Sequence, residues 1–220
     1  MLKITDKARL GLGVSLAFVI LFSVPYTSTK SENEQEARYV ALTYDDGPNP
    51  FYTEKILAVL EEENVHATFF LLGKNVEKYP ELVKQIYDGG HMVGNHTYSH
   101  LNVSQASEEE VREEVTRTNE LIYKSCGAYP EAFRPPFGCD RSKLAEDLHM
   151  LQVFWNVDPR DWAVQNTSAV VNHVLKRVQD GDIILMHDAY GSTVEATKRL
   201  IPKLREMGYE FVTVQEMLEP

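Results

Sequence analysis

The chain has 220 residues, with 22 basic against 33 acidic side chains and a formal net charge of −11. An apolar share of 43% and a charged share of 25% belong to a folded globular protein and exclude disordered and fibrous classes. The acidic balance argues against a nucleic-acid surface, which needs clustered Lys and Arg to neutralise phosphates. One substantial domain, or at most two small ones, fits this length.

The N-terminus differs in kind from the rest. Lys3, Lys7 and Arg9 precede Leu10 to Val24, fifteen residues without a charge. A basic flank followed by an apolar run is the layout of a secretory signal; a full membrane span needs about 20 residues. No Ala-x-Ala cleavage site follows in "PYTSTKSE", so residues 1–26 read as a signal peptide or as an uncleaved membrane anchor. A buried core helix is the bland alternative, and the terminal position and basic flank count against it. Both export readings place the remainder outside the cytoplasm. Residues 27–38 are polar, acidic and aperiodic, as in a linker, and residues 39–220 form the expected domain.

From Tyr39 onward short apolar runs alternate with helical periodicity. Strands are predicted at 39–44, 67–72, 91–95, 132–137, 151–157, 182–187 and 209–214. Between the first two, Ile56, Leu57 and Leu60 mark one helix face. The next helix runs into the Gly89-Gly90 pair, a C-cap signal. Ser107 and Glu110 have capping-box spacing ahead of a long helix, and Pro202 is expected to bend the last one. Seven strands alternating with helices imply an α/β fold with a mainly parallel sheet. An open doubly wound sheet and a (β/α) barrel both fit, and in both the functional groups gather at the C-terminal ends of strands.

The unusual polar residues fall at those ends. The first strand ends in Asp45-Asp46 and the turn signal Gly47-Pro48-Asn49-Pro50; the third ends in "GNHTYSH" with His96 and His100. The fourth runs into Arg134 among prolines, the fifth into Asp158, Asp161 and Trp162, and the sixth into His187 and Asp188. Each alone has a plain explanation: turn chemistry for Asp-Asp-Gly-Pro, a surface ion pair for Arg134, core packing for Trp162, a satisfied buried imidazole for His187. His66, His91, His149 and His173 lie within or before elements and receive no role. Convergence of five strand ends is what points to function.

Two imidazoles four residues apart can face one point in a helical turn, and with one carboxylate they make a three-ligand site for a divalent ion. Adjacent carboxylates on an extended backbone point different ways, so one can bind the ion while the other serves as a base. An arginine would hold that base ionised, and a histidine paired with Asp could protonate a leaving group. The set suits metal-assisted hydrolysis of an amide or ester.

In this order, "TYDDGPN", "HTYSH", "RPPFG", "DPRDW" and "ILMHD" closely resemble the signature motifs of the polysaccharide deacetylases, the NodB-homology proteins of carbohydrate esterase family 4. The similarity covers about residues 39–215. It implies a distorted (β/α) barrel of seven or eight strands. It also implies Asp45 as catalytic base, Asp46, His96 and His100 as metal ligands, and Arg134 as tether of the base. Asp161 and His187 match the orienting carboxylate and the catalytic acid; Trp162, Leu185 and Pro135 match substrate-pocket residues. Phe137 stands where the family commonly has Tyr, and its family role is a backbone N–H on the oxyanion.

The implied cofactor is a divalent metal ion, zinc foremost, with cobalt or another ion as alternatives. The implied partner is an N-acetylated polysaccharide, with no nucleic acid, membrane contact only through the N-terminal segment, and a monomer. An exported chain of this kind resembles bacterial cell-wall members acting on N-acetylglucosamine in peptidoglycan; chitin oligomers and O-acetyl xylan are other family substrates. A saccharide-binding pseudoenzyme is disfavoured because every catalytic position is filled. A phosphoesterase would want more basic residues than Arg134 and Arg160 near the motif ends. Cys126 and Cys139, 13 positions apart, either close a disulfide loop worth about 3 kcal/mol or remain free thiols.

Overall fold

The computed structural model describes residues 37–218. The proposed signal or anchor at 1–26, and the linker up to residue 36, lie outside the described residues. Among the described residues, no helix is long and apolar enough to cross a membrane.

Seven strands form one all-parallel sheet: β1 (Arg38–Gly47), β2 (Thr68–Leu71), β3 (Met92–Asn95), β4 (Ala132–Phe133), β5 (Leu151–Gln152), β6 (Asp182–His187) and β7 (Tyr209–Phe211). Parallel neighbours require crossovers, and helices supply them. α1 (Thr53–Glu62) follows β1, α2 (Gly73–Lys78) and α3 (Pro80–Asp88) follow β2, and α4 (Glu108–Cys126) follows β3. α5 (Ser142–Asp147) follows β4, α6 (Asp161–Val164) and α7 (Thr167–Arg177) follow β5, α8 (Gly191–Glu206) follows β6, and α9 (Val214–Leu218) follows β7. All seven predicted strands occur at their places in the chain. The fourth is shorter than expected because Pro135 and Pro136 cannot extend a ladder.

The strand order is β5-β4-β3-β2-β1-β6, with β7 also paired to β1. Beyond β5 the chain crosses to β6, where Val157 bridges Ile184 and Leu185 N–H donates to Val157 O at 2.9 Å. The sheet thus curls back on itself, a distorted barrel as the motifs imply.

Side-chain alternation along β1 decides what faces where. Val40, Leu42 and Tyr44 join the apolar layer under the helices, with Ile56, Leu60, Ile184 and Met186. Ala41 belongs to the inner cluster with Phe70, Ala132 and Val153, so Thr43 and Asp45 also point inward. The parallel register pairs Thr43 with Leu185 and Asp45 with His187. By the same period Gly94 leads to an inward His96, and Ala132 to an inward Arg134. The periodicity that builds the core therefore delivers the chemical groups to one mouth.

The expected capping box is formed: Ser107 N–H donates to Glu110 Oε2 at 2.8 Å, and Glu110 N–H to Ser107 Oγ at 3.3 Å. Of the glycine pair after α3, Gly90 takes the left-handed conformation (φ 77°), while Gly89 remains right-handed. α8 continues through Pro202. Cys126 and Cys139 are free thiols, which resolves the question their spacing left open.

Gly94 sits where β3 crosses Phe70. A Cβ there would lie 2.5 Å from Phe70 Cδ1 and 3.3 Å from Ala132 O. Gly94→Ala should destabilise the fold by roughly 1–3 kcal/mol, as overpacked cores do, measured by urea unfolding; unchanged stability would contradict this packing.

Candidate active site

β1 pairs regularly with β2 up to Asp45, then slips so that Gly47 rather than Asp46 meets Leu71. Asp46 takes φ 75°. A bulge of this kind re-aims a side chain, and here it brings both carboxylates to the same mouth. They do serve different neighbours as expected, but through the bulge and not through extended alternation.

Arg134 is fully buried and answers Asp45. Its Nη1 donates to Asp45 Oδ1 and to Thr43 Oγ1, both at 2.7 Å, and its Nη2 to Phe154 O at 3.0 Å. The guanidinium lies 4.0 Å from the Phe70 ring centroid. A buried cation is tolerable only when paired and hydrogen-bonded, so Asp45 is held in one orientation.

His96 and His100 converge, but not through a helical turn. The segment after β3 is a loop in which Thr97 (φ 65°) and His100 (φ 68°) are left-handed. Asn95 Oδ1 accepts from Thr97 N–H at 2.8 Å, and Glu114 of α4 accepts from Tyr98 and Ser99 N–H at 2.9 and 2.7 Å. His96 Nδ1 is 2.7 Å from Arg134 O, which fixes Nδ1 as the protonated nitrogen and leaves Nε2 as a lone pair.

Asp46 Oδ1 is 3.7 Å from His96 Nε2 and 3.5 Å from His100 Nε2. It is buried without a hydrogen-bond partner. Burial lowers the His100 pKa against the pull of Asp46, favouring the neutral, ligating form. Tetrahedral zinc with bonds of about 2.1 Å places its ligands about 3.4 Å apart. The three donors all lie within 4.8 Å of one another, so the residues fit such an ion.

Opposite them, His187 Nδ1 is 2.8 Å from Asp161 Oδ1. Asp161 opens α6, is fully buried, and also accepts from Trp162 N–H, His187 N–H and Thr193 Oγ1 at 3.0, 2.8 and 2.6 Å. Burial works against a charged His187 ring, but the bond and charge of Asp161, with Asp45 and Asp46, outweigh it and raise the pKa to about 9.

A pocket of about 400 Å³ joins these groups. Asp45, Asp46, His96, His100, Pro135, Phe137, Trp162, Leu185 and His187 line it; Arg134 and Asp161 stand behind the wall. Phe137 is left-handed (φ 61°) and packs edge-on to His100 at 4.8 Å. The pocket adds Trp155, Asp158 and Tyr190. Asp158 lies at a predicted strand end, Trp155 inside the strand predicted at 151–157, and Tyr190 in no predicted element. A larger cavity of about 520 Å³ touches His66 and His91. His91 Nδ1 accepts Ala67 N–H at 3.2 Å and burial, helped by His66, lowers its pKa to about 4, the behaviour of a structural histidine.

A family model described as polysaccharide deacetylase matches residues 32–153. A peptidoglycan-N-acetylglucosamine deacetylase of Bacillus cereus is 38% identical over 209 residues, covering 92% of this chain and 73% of that protein. The peptidoglycan-N-acetylmuramic acid deacetylase PdaC of Bacillus subtilis is 37% identical over 90% of this chain, which spans only 42% of its length. The PdaC structure superposes with TM-score 0.79 at 38% identity, covering 83% of this chain and 90% of that one. A carbohydrate esterase family 4 pseudoenzyme from Bacillus anthracis gives TM-score 0.79 at 34% identity, covering 84% and 66%. The family model ends before Asp161 and His187, so those two rest on the geometry.

The raised His187 pKa sets a pH dependence for the metal-free protein. The folded value of about 9 exceeds the unfolded value of about 6.5. The stabilisation is therefore complete below about pH 6.5 and lost as pH rises through 9. NMR titration should find the His187 ring protonated at neutral pH, and Asp161→Asn should bring its pKa below about 6.5. An unaltered titration would remove Asp161 as the cause.

Proposed function

The chain belongs to the polysaccharide deacetylase family, and on that premise we propose that it removes N-acetyl groups from N-acetylglucosamine residues of peptidoglycan, releasing acetate. The observation that carries this reading is one mouth holding two separately partnered proton-transfer groups, Asp45 with Arg134 and His187 with Asp161, on either side of a three-donor cluster.

Asp46, His96 and His100 would hold a divalent ion, zinc by the character of the donors, with cobalt or another ion as alternatives. When bound it supplies Lewis acidity and lowers the pKa of water toward neutrality. Asp45, fixed by Arg134, accepts a proton from the water that attacks the acetyl carbonyl. The Phe137 backbone N–H donates to the developing oxyanion, a contact whose loss typically costs about 2.7–4 kcal/mol. Because the group comes from the backbone, Phe in place of Tyr leaves the role intact. His187 protonates the departing amine as the carbon–nitrogen bond breaks. Trp162, Leu185 and Pro135 enclose the acetyl group. Water is consumed, and acetate and a free amine result.

Relatives named as peptidoglycan deacetylases support the polymer. They divide over the sugar, and N-acetylglucosamine is the one named for the relative with the fuller match of length. Chitin oligomers and O-acetyl xylan are the alternatives. A family relative named a pseudoenzyme makes the filled base and acid positions the feature that favours an active enzyme here. The basic flank and apolar run at the N-terminus support an extracytoplasmic location at a bacterial surface, secreted or anchored, where this polymer lies.

The test is acetate release by the full chain from N-acetylglucosamine oligomers and from peptidoglycan. A chelator should abolish release, and zinc or cobalt should restore it. Asp45→Asn should reduce kcat about 10²–10⁴-fold, the usual contribution of a positioned base. Release that persists through chelation, or none from either polymer with the fold intact, would overturn the proposal.

A further inference from the structure

Asp188 has no part in this chemistry, yet it is fully buried beside it. It follows His187 at the end of β6 and does not line the pocket. Burial pushes its carboxyl up to about 7, although the Thr53 hydroxyl pulls the other way. An ionisable group in such a place is costly unless its neighbours need it, so its contacts are informative.

They all lead to one turn. Thr53 Oγ1 donates to Asp188 Oδ2 at 2.5 Å, and the same hydroxyl accepts Asn49 N–H at 2.7 Å. Asp188 N–H donates to Asp45 O at 3.3 Å. The carboxylate lies flat against Gly47: a Cβ there would lie 2.8 Å from both Asp188 Cγ and Oδ1 and would overlap Oδ2. The opposite side of the turn is gripped by α2 and the chain before it. Asn75 Nδ2 donates to Asp46 O at 2.8 Å, and Leu72 N–H to Gly47 O at 2.9 Å.

Asp46 needs this grip. Its left-handed backbone and its place in a bulge are what turn its carboxylate to the histidines, and nothing in an aspartate side chain enforces that conformation. We infer that Asp188 and Thr53 are positioning residues: a buried hydroxyl–carboxyl clamp that seats the 45–49 turn and thereby fixes the direction of Asp46. The inference rests on the reading of Asp46 as a ligand in the proposed function, but the seating of the turn can be measured without that reading.

The experiment compares Thr53→Val, Thr53→Ser, Asp188→Ala and Asp188→Asn in the full chain, each checked for folding by circular dichroism. Amide hydrogen exchange across residues 45–49 reads the turn directly, and cobalt titration of metal-free protein reads the ligand set. Thr53→Val and Asp188→Ala should speed exchange in the turn above any change in β6, and weaken cobalt binding about tenfold, the low end for outer-shell partners. Thr53→Ser and Asp188→Asn keep a hydroxyl and an acceptor and should restore both. If either truncating variant folds and keeps wild-type exchange in the turn, the clamp is refuted. It is equally refuted if exchange rises evenly over the whole molecule, or if Ser and Asn fail to rescue. Should wild type release no acetate, the proposed function falls while the exchange result still decides the clamp. Should wild type bind no cobalt, the ligand reading falls and exchange again decides alone.

Discussion

The site is organised around a single buried cation. Arg134 presents its guanidinium to Asp45 and its carbonyl oxygen to His96, so one residue fixes the proposed base with its side chain and a candidate ligand with its backbone. Removing a guanidinium from water is tolerated only when its hydrogen bonds are answered. Thr43, Asp45 and Phe154 O take three of its five N–H donors between them, and Phe70 covers its face. The two prolines after it end β4 at the level of the mouth. The positions of the proposed base and of the three-donor cluster are therefore coupled through one residue, whose side chain cannot move without leaving a buried charge unpaired.

Much of this was legible from sequence because the decisive residues are chemically unusual for where they sit. Carboxylates and imidazoles at the ends of Val-, Ile- and Leu-rich runs stand out, and the period of two along each run tells which of them face inward. Phe137 was legible for a different reason: the surrounding "RPPFG" carries the resemblance even though the role proposed for it is a backbone one. What sequence left hidden is conformation that no residue type announces. Asp46, Thr97 and His100 adopt positive φ without glycine, so neither the bulge nor the loop route to convergence had a local signal. Trp155 falls inside the strand predicted at 151–157, but β5 ends at Gln152 and Trp155 lines the pocket instead, and Tyr190 reaches the pocket only because α8 begins immediately after it. The pairing of Thr53 with Asp188 spans 135 positions, beyond any pattern readable along the chain.

The electrostatic layout separates two kinds of carboxylate. Asp45 and Asp161 are buried and each has a cationic or protonated partner, Arg134 and His187. Asp46 has no such partner and faces the Nε2 atoms of two imidazoles. A cavity so arranged would be balanced by the divalent cation proposed for it, and the net acidity of the protein favours the approach of one. It also suits a reaction whose product carries a new positive amine, because the same field that draws in an ion lowers the cost of leaving that amine charged near the mouth.

The alternation along β1 and β6 has an evolutionary corollary. Inserting or deleting one residue within either strand would turn every following side chain to the opposite face, moving Asp45 or His187 from the mouth into the apolar layer beneath the helices. Length can vary only past the strand ends. Exposed positions in segments such as 101–106 and 138–142 are where the chain is free to be rewritten, so lineages of this architecture would diversify by editing the rim while inheriting the reacting centre as an indivisible block.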